Sequence, residues 1–171
     1  MTKIIAVVNH KGGVGKTTTT AHLGAALSKL GQNVLSVDFD SQQNLSMSLL
    51  SDERLEALPS LYDSIKSGAP MPVTNISQGL DLVPAVVELA RAEIDLSTRI
   101  AREQLLRNML QPLMGKYDYI LIDCPPALGL LTINALTAAD ELLLPLTGEA
   151  LPLRGLVRLE GIVREVAAHI N

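Results

Sequence analysis

Apolar positions along the chain fall into two rhythms. Short continuous runs at residues 4–8, 34–37, 80–83, 119–122 and 142–146 are rich in Val, Ile and Leu, and they predict strands covered on both faces of a sheet. Between them lie longer stretches with helical spacing. Over 16–30 the residues Leu23, Ala26, Leu27 and Leu30 recur at that spacing, and Gly31 stands where a left-handed helix cap belongs. A shorter helix is predicted over 44–50. A long one covers 88–114, carried by Leu89, Ala92, Leu96, Ile100, Leu105, Met109 and Leu113 with a break near Ser97. Leu153, Leu156, Leu159, Ile162, Val163 and Val166 predict a last helix over 151–170. This alternation calls for an α/β fold with a doubly wound, mostly parallel sheet that binds its ligands at the C-terminal ends of its strands. No repeat or linker divides the chain, and the Gly-Ala-Pro-Met-Pro stretch at 68–72 reads as a surface loop, so 1–171 is one domain.

Composition narrows the picture. With 171 residues, 47% of them apolar, one well-buried core is within reach. The net charge of -4 provides no global field for nucleic acid, so any DNA contact requires a local patch. Phe39, Tyr62, Tyr117 and Tyr119 are the only aromatic residues, too few for a base-stacking platform. A single cysteine, Cys124, excludes an internal disulfide framework and fits a reducing compartment, with the cytoplasm as default. No apolar run reaches membrane-spanning length.

The candidate chemistry sits at the predicted strand ends. Lys11-Gly12-Gly13-Val14-Gly15-Lys16-Thr17-Thr18 lies between the first strand and the first helix, the context a phosphate-binding loop needs. Glycines let backbone N–H groups turn inward, and the helix start adds its positive dipole end. Lys16 then reaches the β- and γ-phosphates of ATP, and the Thr17 hydroxyl ligates Mg²⁺. The ordinary motif has glycine where this chain has His10, which reads as a plain loop residue. A second lysine, Lys11, lies inside the loop, making the deviant Walker A pattern. Asp123 ends the strand at 119–122 and suits a Walker B acid holding Mg²⁺ through a water. Asp38 and Asp40 flank Phe39, so both carboxylates can share one side of an extended segment.

In order and spacing, residues 11–18, Asp38-Phe39-Asp40 and Asp123-Cys124-Pro125-Pro126 resemble the ParA/Soj/MinD group of P-loop ATPases, and the likeness runs through 131–136 and 144–146. The resemblance implies slow ATP hydrolysis in an ATP-dependent dimer switch for plasmid or chromosome partition. It implies that Asp40 orients or activates the attacking water, that Asp38 supports the metal and water shell, and that Lys11 reaches the partner subunit's phosphates. It further implies a switch segment at 123–129 and a centromere-binding, ParB-like partner.

Two departures qualify it. Ser41-Gln42-Gln43-Asn44 replaces the family's Pro-Gln-Gly-Asn, removing a residue that fixes φ and one that favours a left-handed turn. Family members also continue past the position of Asn171, so the domain reads as shortened at its C-terminal side. The family's DNA-holding basic residues, and with them nucleoid association, are not evident. Arg154, Arg158 and Arg164 alternate with Glu160 and Glu165 and read as a solvated face. Two alternatives stand beside the ATPase: a nucleotide-dependent dimerisation module with negligible turnover, and a MinD-like positioning ATPase. The latter wants a basic amphipathic C-terminal helix, so no membrane partner is expected. Cys124 alone is too few for a cluster bridging two subunits and reads as a small buried residue.

Overall fold

The structure, a computed structural model, describes residues 1–146 and 153–169. Among the described residues six strands form one sheet in the order β3-β4-β2-β5-β1-β6. They are β1 (Lys3–Val7), β2 (Val34–Asp38), β3 (Thr74–Ser77), β4 (Leu80–Val83), β5 (Tyr119–Asp123) and β6 (Glu141–Leu143). All neighbours pair in parallel except β3 with β4. The doubly wound α/β expectation is therefore met. Eight helices are described: α1 (Lys16–Lys29), α2 (Asn44–Leu49), α3 (Asp52–Glu56), α4 (Leu61–Ser67), α5 (Leu89–Asp95), α6 (Leu105–Leu110), α7 (Leu130–Ala138) and α8 (Leu153–His169).

Successive strand residues face opposite sides, and both sides are covered. Ile120 and Ile122 share a core with Ala6, Leu89, Leu106 and Ala135, on the side of α5, α6 and α7. Leu121 faces the other way, among Val34, Leu80 and the half-buried Leu23 and Leu27 of α1. Helix α1 lies close to the sheet because Gly24 has no side chain: a Cβ there would sit 3.1 Å from Ser36 Oγ and 3.3 Å from Leu80 Cδ1. The helix ends as expected. Gly31 has φ 83°, Gln32 N–H donates to Leu27 O and Gly31 N–H to Ser28 O, which is a Schellman cap. Leu30, counted above with the apolar stripe, is exposed.

The single helix expected over 88–114 is instead α5, a turn, a 3₁₀ turn at Arg102–Gln104, α6 and a second 3₁₀ turn at Gln111–Leu113. Tertiary hydrogen bonds outweigh the spacing here. Buried Asn134 of α7 accepts from Leu106 N–H at 3.1 Å and donates to Arg102 O at 2.9 Å, while Ala101 turns left-handed at φ 54°. Arg99 binds the carbonyls of Ile65 and Lys66. Ile100, counted as a core position, is fully exposed. The run 142–146 shortens to β6 because Pro145 cannot donate to a ladder. Within 68–72, residues 68–70 are exposed but Met71 and Pro72 are buried. In α8, Leu159 and Val166 are buried as expected, and Arg164 pairs with Glu160 at 2.7 Å on an exposed face. The side chains of Leu153, Arg154 and Leu156, and residues 151, 152 and 170 of that predicted helix, lie outside the described residues. Among the described residues no helix is long and apolar enough to cross a membrane.

Candidate functional site

Strands β2, β5 and β1 lie side by side, and their ends carry the chemistry. Asp38 and Asp123 are register partners, as are Val7 and Asp123. Phe39 N–H donates to Asp123 O and Cys124 N–H to Val7 O, which extends the pairing one residue beyond each strand. The segment after β1 is held by Asn9, whose Nδ2 donates to Pro145 O at 2.9 Å and whose Oδ1 accepts from Lys11 N–H at 3.0 Å.

Residues 11–15 then curl into α1. Gly13 and Gly15 have φ 74° and 89°, a region costly for any residue with a Cβ. Gly12 has neither a left-handed φ nor any atom within 4 Å of a built Cβ. Among the described residues nothing requires glycine there, whereas close approach of a ligand to the backbone would. Helix α1 starts without a side-chain cap and with no acid in its first turn, so its leading N–H groups suit an anion. Val14 is buried, and Thr18 is exposed with its carbonyl paired to His22 Nδ1 at 2.8 Å. Lys16, only 8% exposed, folds back to donate to Lys11 O at 3.5 Å. These features fit the polyphosphate cradle expected of 11–18.

The acids follow. Thr17 Oγ1 donates to Asp123 Oδ2 at 2.7 Å, and Thr20 Oγ1 approaches Asp123 Oδ1 at 3.5 Å. The two residues expected to share a metal, Thr17 and Asp123, are thus in contact. Fully buried Asp38 accepts from Ser46 N–H at 2.8 Å and Ser46 Oγ at 2.6 Å, and from Asp40 N–H at 3.2 Å. Asp40, 8% exposed, accepts from Gln42 N–H at 3.0 Å. Gln43 takes the left-handed conformation, φ 57°, that glycine would adopt without strain, and its amide donates to Ala85 O at 2.9 Å. The Gly-to-Gln departure is therefore accommodated by a side-chain anchor to the end of β4.

Three carboxylates crowd a site with few cations. Burial pushes the Asp123 carboxyl up to about 7, a rise that the Thr17 hydrogen bond and Lys16 partly oppose and that Asp38 and Asp40 reinforce. Burial likewise raises Asp38 to about 6 against the hydrogen bonds from Ser46 and Asp40. Such acids ionise readily once a divalent cation arrives, as the donor set of hydroxyl and carboxylate oxygens invites. Cys124 is buried, its thiol pushed well above the usual range by burial, in keeping with a packing role.

Ser46 and Asn9 were not singled out above, and His10 was named only as a loop residue. Ser46 bridges Asp38 to the backbone of β4's end, its Oγ accepting from Ala85 N–H at 2.9 Å. Asn9 anchors the loop. His10 lies in the loop, as read, and its ring packs against the first turn of α8: a Cβ on Gly155 would sit 1.8 Å from its Cε1. A serine eight residues after a buried acid, and a glycine inside an otherwise strong helix, were the available signals.

A family model described as "AAA domain" matches residues 2–171. The sporulation initiation inhibitor protein Soj of Bacillus subtilis is 46% identical over the whole chain, which spans 68% of that relative. The chromosome partitioning protein ParA of Caulobacter vibrioides is 41% identical over 99% of the chain and 65% of its own length. The chain thus spans about two thirds of these relatives. Among solved structures, a cobyrinic acid a,c-diamide synthase from Mycobacterium smegmatis with bound ADP and magnesium superposes with a TM-score of 0.92 at 41% identity, over all of this chain and 70% of that one.

Proposed function

The chain belongs to the ParA/Soj/MinD family of P-loop ATPases, and on that footing we propose that it binds Mg-ATP through residues 11–18 and hydrolyses it slowly as a dimer switch in plasmid or chromosome partition. The observation that carries this reading is the convergence at neighbouring strand ends of an uncapped glycine-rich helix start, a buried lysine, a Thr17–Asp123 pair and the two acids Asp38 and Asp40. Nucleotides with magnesium in solved relatives support it. Magnesium, held by Thr17 and through water by Asp123, would offset phosphate charge. The residues do the rest: backbone N–H groups of the loop and Lys16 hold the phosphates, Asp40 orients or activates water, and Asp38, fixed by Ser46, keeps the Asp40 backbone in place. Lys11 acts between subunits, toward the partner's phosphates. A ParB-like protein is the natural partner, nucleoid DNA a cargo if the whole protein has a basic face, and the cytoplasm its setting.

Sedimentation in Mg-ATP, Mg-ADP and no nucleotide tests the switch. The reading expects a dimer with ATP alone, lost in Lys11→Ala while monomer affinity for Mg-ADP persists. An ATP-dependent dimer that never releases phosphate supports the dimerisation-module alternative, to which the glycine-free 41–44 turn lends some weight. The amide-synthase name of a solved relative supplies a further contrast: ATP turnover without any co-substrate speaks for partition chemistry.

A further inference from the structure

Helix α7 begins where the segment leaving Asp123 ends, and it has no cap of its own. Its Ncap is Gly129, which has no side chain to bond the first N–H groups, and no acid lies in its first turn. The anion comes from another helix. Half-buried Glu93 of α5, 38 residues away in sequence, accepts from Leu131 N–H through Oε1 at 3.4 Å, which brings its carboxylate to the positive end of α7. Gly129 shows how close that approach is: a Cβ there would lie 2.1 Å from Glu93 Oε1 and 2.8 Å from its Cδ. With φ -99° and ψ -166° the backbone at 129 is extended and open to any residue, so it is the carboxylate that requires glycine.

Both ends of 124–129 are thereby tied. At one end Cys124 is buried and its N–H donates to Val7 O, next to the Thr17–Asp123 pair. At the other, Glu93 holds the start of α7, Thr132 Oγ1 donates to Ala127 O at 2.5 Å, and Asn134 bonds the body of the helix to Arg102 O and Leu106 N–H. Between the two ends Pro126 and Ala127 are exposed. Helix α5 is a firm mount, with Leu89, Ala92 and Leu96 buried in the core. We propose that Glu93 is a positioning residue for the nucleotide reaction: by capping α7 from α5, it fixes the segment that leaves Asp123. Its hydrogen bond goes to backbone and not to Lys16, Thr17, Asp40 or Asp123, so it acts through that segment and not on the nucleotide. The effect on turnover rests on the ATPase reading above, whereas the hold on the segment does not.

Hydrogen exchange and ATP turnover, measured on the parent, Glu93→Ala, Glu93→Gln, Gly129→Ala and the Glu93→Ala/Gly129→Ala pair, test this. Glu93→Ala should speed exchange at 124–131 by about fivefold or more while β1, β2 and β5 stay as protected as in the parent. Its kcat should fall about tenfold with KM for Mg-ATP within about twofold, as expected when groups are misplaced and not removed. Glu93→Gln, whose amide oxygen still accepts from Leu131 N–H, should restore most of both. Gly129→Ala should reproduce Glu93→Ala by displacing the carboxylate, and should add nothing in the pair. Unchanged exchange at 124–131 in Glu93→Ala, faster exchange with kcat unaltered, a rise in KM alone, or additive effects in the pair overturns the proposal. A parent that releases no phosphate overturns the ATPase reading instead, and the ratio of affinities for Mg-ADP and a non-hydrolysable Mg-ATP analogue then replaces kcat. A shift of that ratio by about fivefold or more in Glu93→Ala upholds the positioning role, and an unmoved ratio overturns it.

Discussion

Thr17 and Asp123, 106 residues apart in sequence, meet in a 2.7 Å hydrogen bond at the mouth of the sheet. One opens α1 and the other closes β5, so the bond joins the phosphate loop to the strand carrying the buried acid. Thr17→Ala should weaken Mg²⁺-dependent ADP binding by about 10- to 100-fold, as losses around a metal site commonly do, while Thr17→Ser retains it. Calorimetry with and without Mg²⁺ checks this, and equal loss in both conditions would assign Thr17 a packing role.

Ser46 holds Asp38 from one side and the Ala85 N–H from the other. Ser46→Ala leaves both buried groups short of a partner, and urea unfolding should show a loss of about 2 kcal/mol. A change near zero would mean that water replaces the hydroxyl.

Stability without nucleotide or metal should fall as pH rises. Asp38 and Asp123 are raised from 3.8 to about 6 and about 7, so the folded chain keeps protons that the unfolded chain releases. Their contribution is intact below about pH 4 and lost as pH climbs through those two values. Asp123→Asn should flatten the upper part of this decline and be more stable than the parent at pH 8. Denaturation midpoints across pH 4–8 decide it, and an unchanged slope in the variant would contradict the burial argument.

His10 and Gly155 occupy one space, since a Cβ at 155 falls on the imidazole. Gly155→Ala should destabilise by about 1–3 kcal/mol through overpacking, and His10→Ala should relieve most of that cost. Additive losses in the double variant would show that the ring simply swings aside.

Much of this was legible in the sequence where local pattern and burial agree. Fully covered strands read as unbroken apolar runs, so β1, β2, β4 and β5 stand within a residue of their expected places, and the acids follow because they end those strands. The long stretch 88–114 misled, because its spacing continues through Ile100 while Asn134 of a distant helix claims Leu106 N–H and Arg102 O. Edge strand β3 carries half-exposed residues and pairs through an irregular register, leaving a weak period. Helix α4 had its markers, Ser60 capping Asp63 N–H and Gly68 left-handed at its end, and these outweigh its brief apolar pattern. The site itself was read residue by residue, but its supports were not. Ser46, Asn9 and Gln43 act through backbone groups far away in sequence, and only the folded sheet brings those groups within reach.

On the proposed function, these strand-end acids turn a phosphate-binding loop into a hydrolytic site. Phosphate release at saturating Mg-ATP, compared between the parent chain and Asp40→Ala, tests it most directly. Turnover should be slow but measurable in the parent and fall by at least roughly a hundredfold in the variant, with ATP affinity preserved. Equal rates in the two proteins would contradict it.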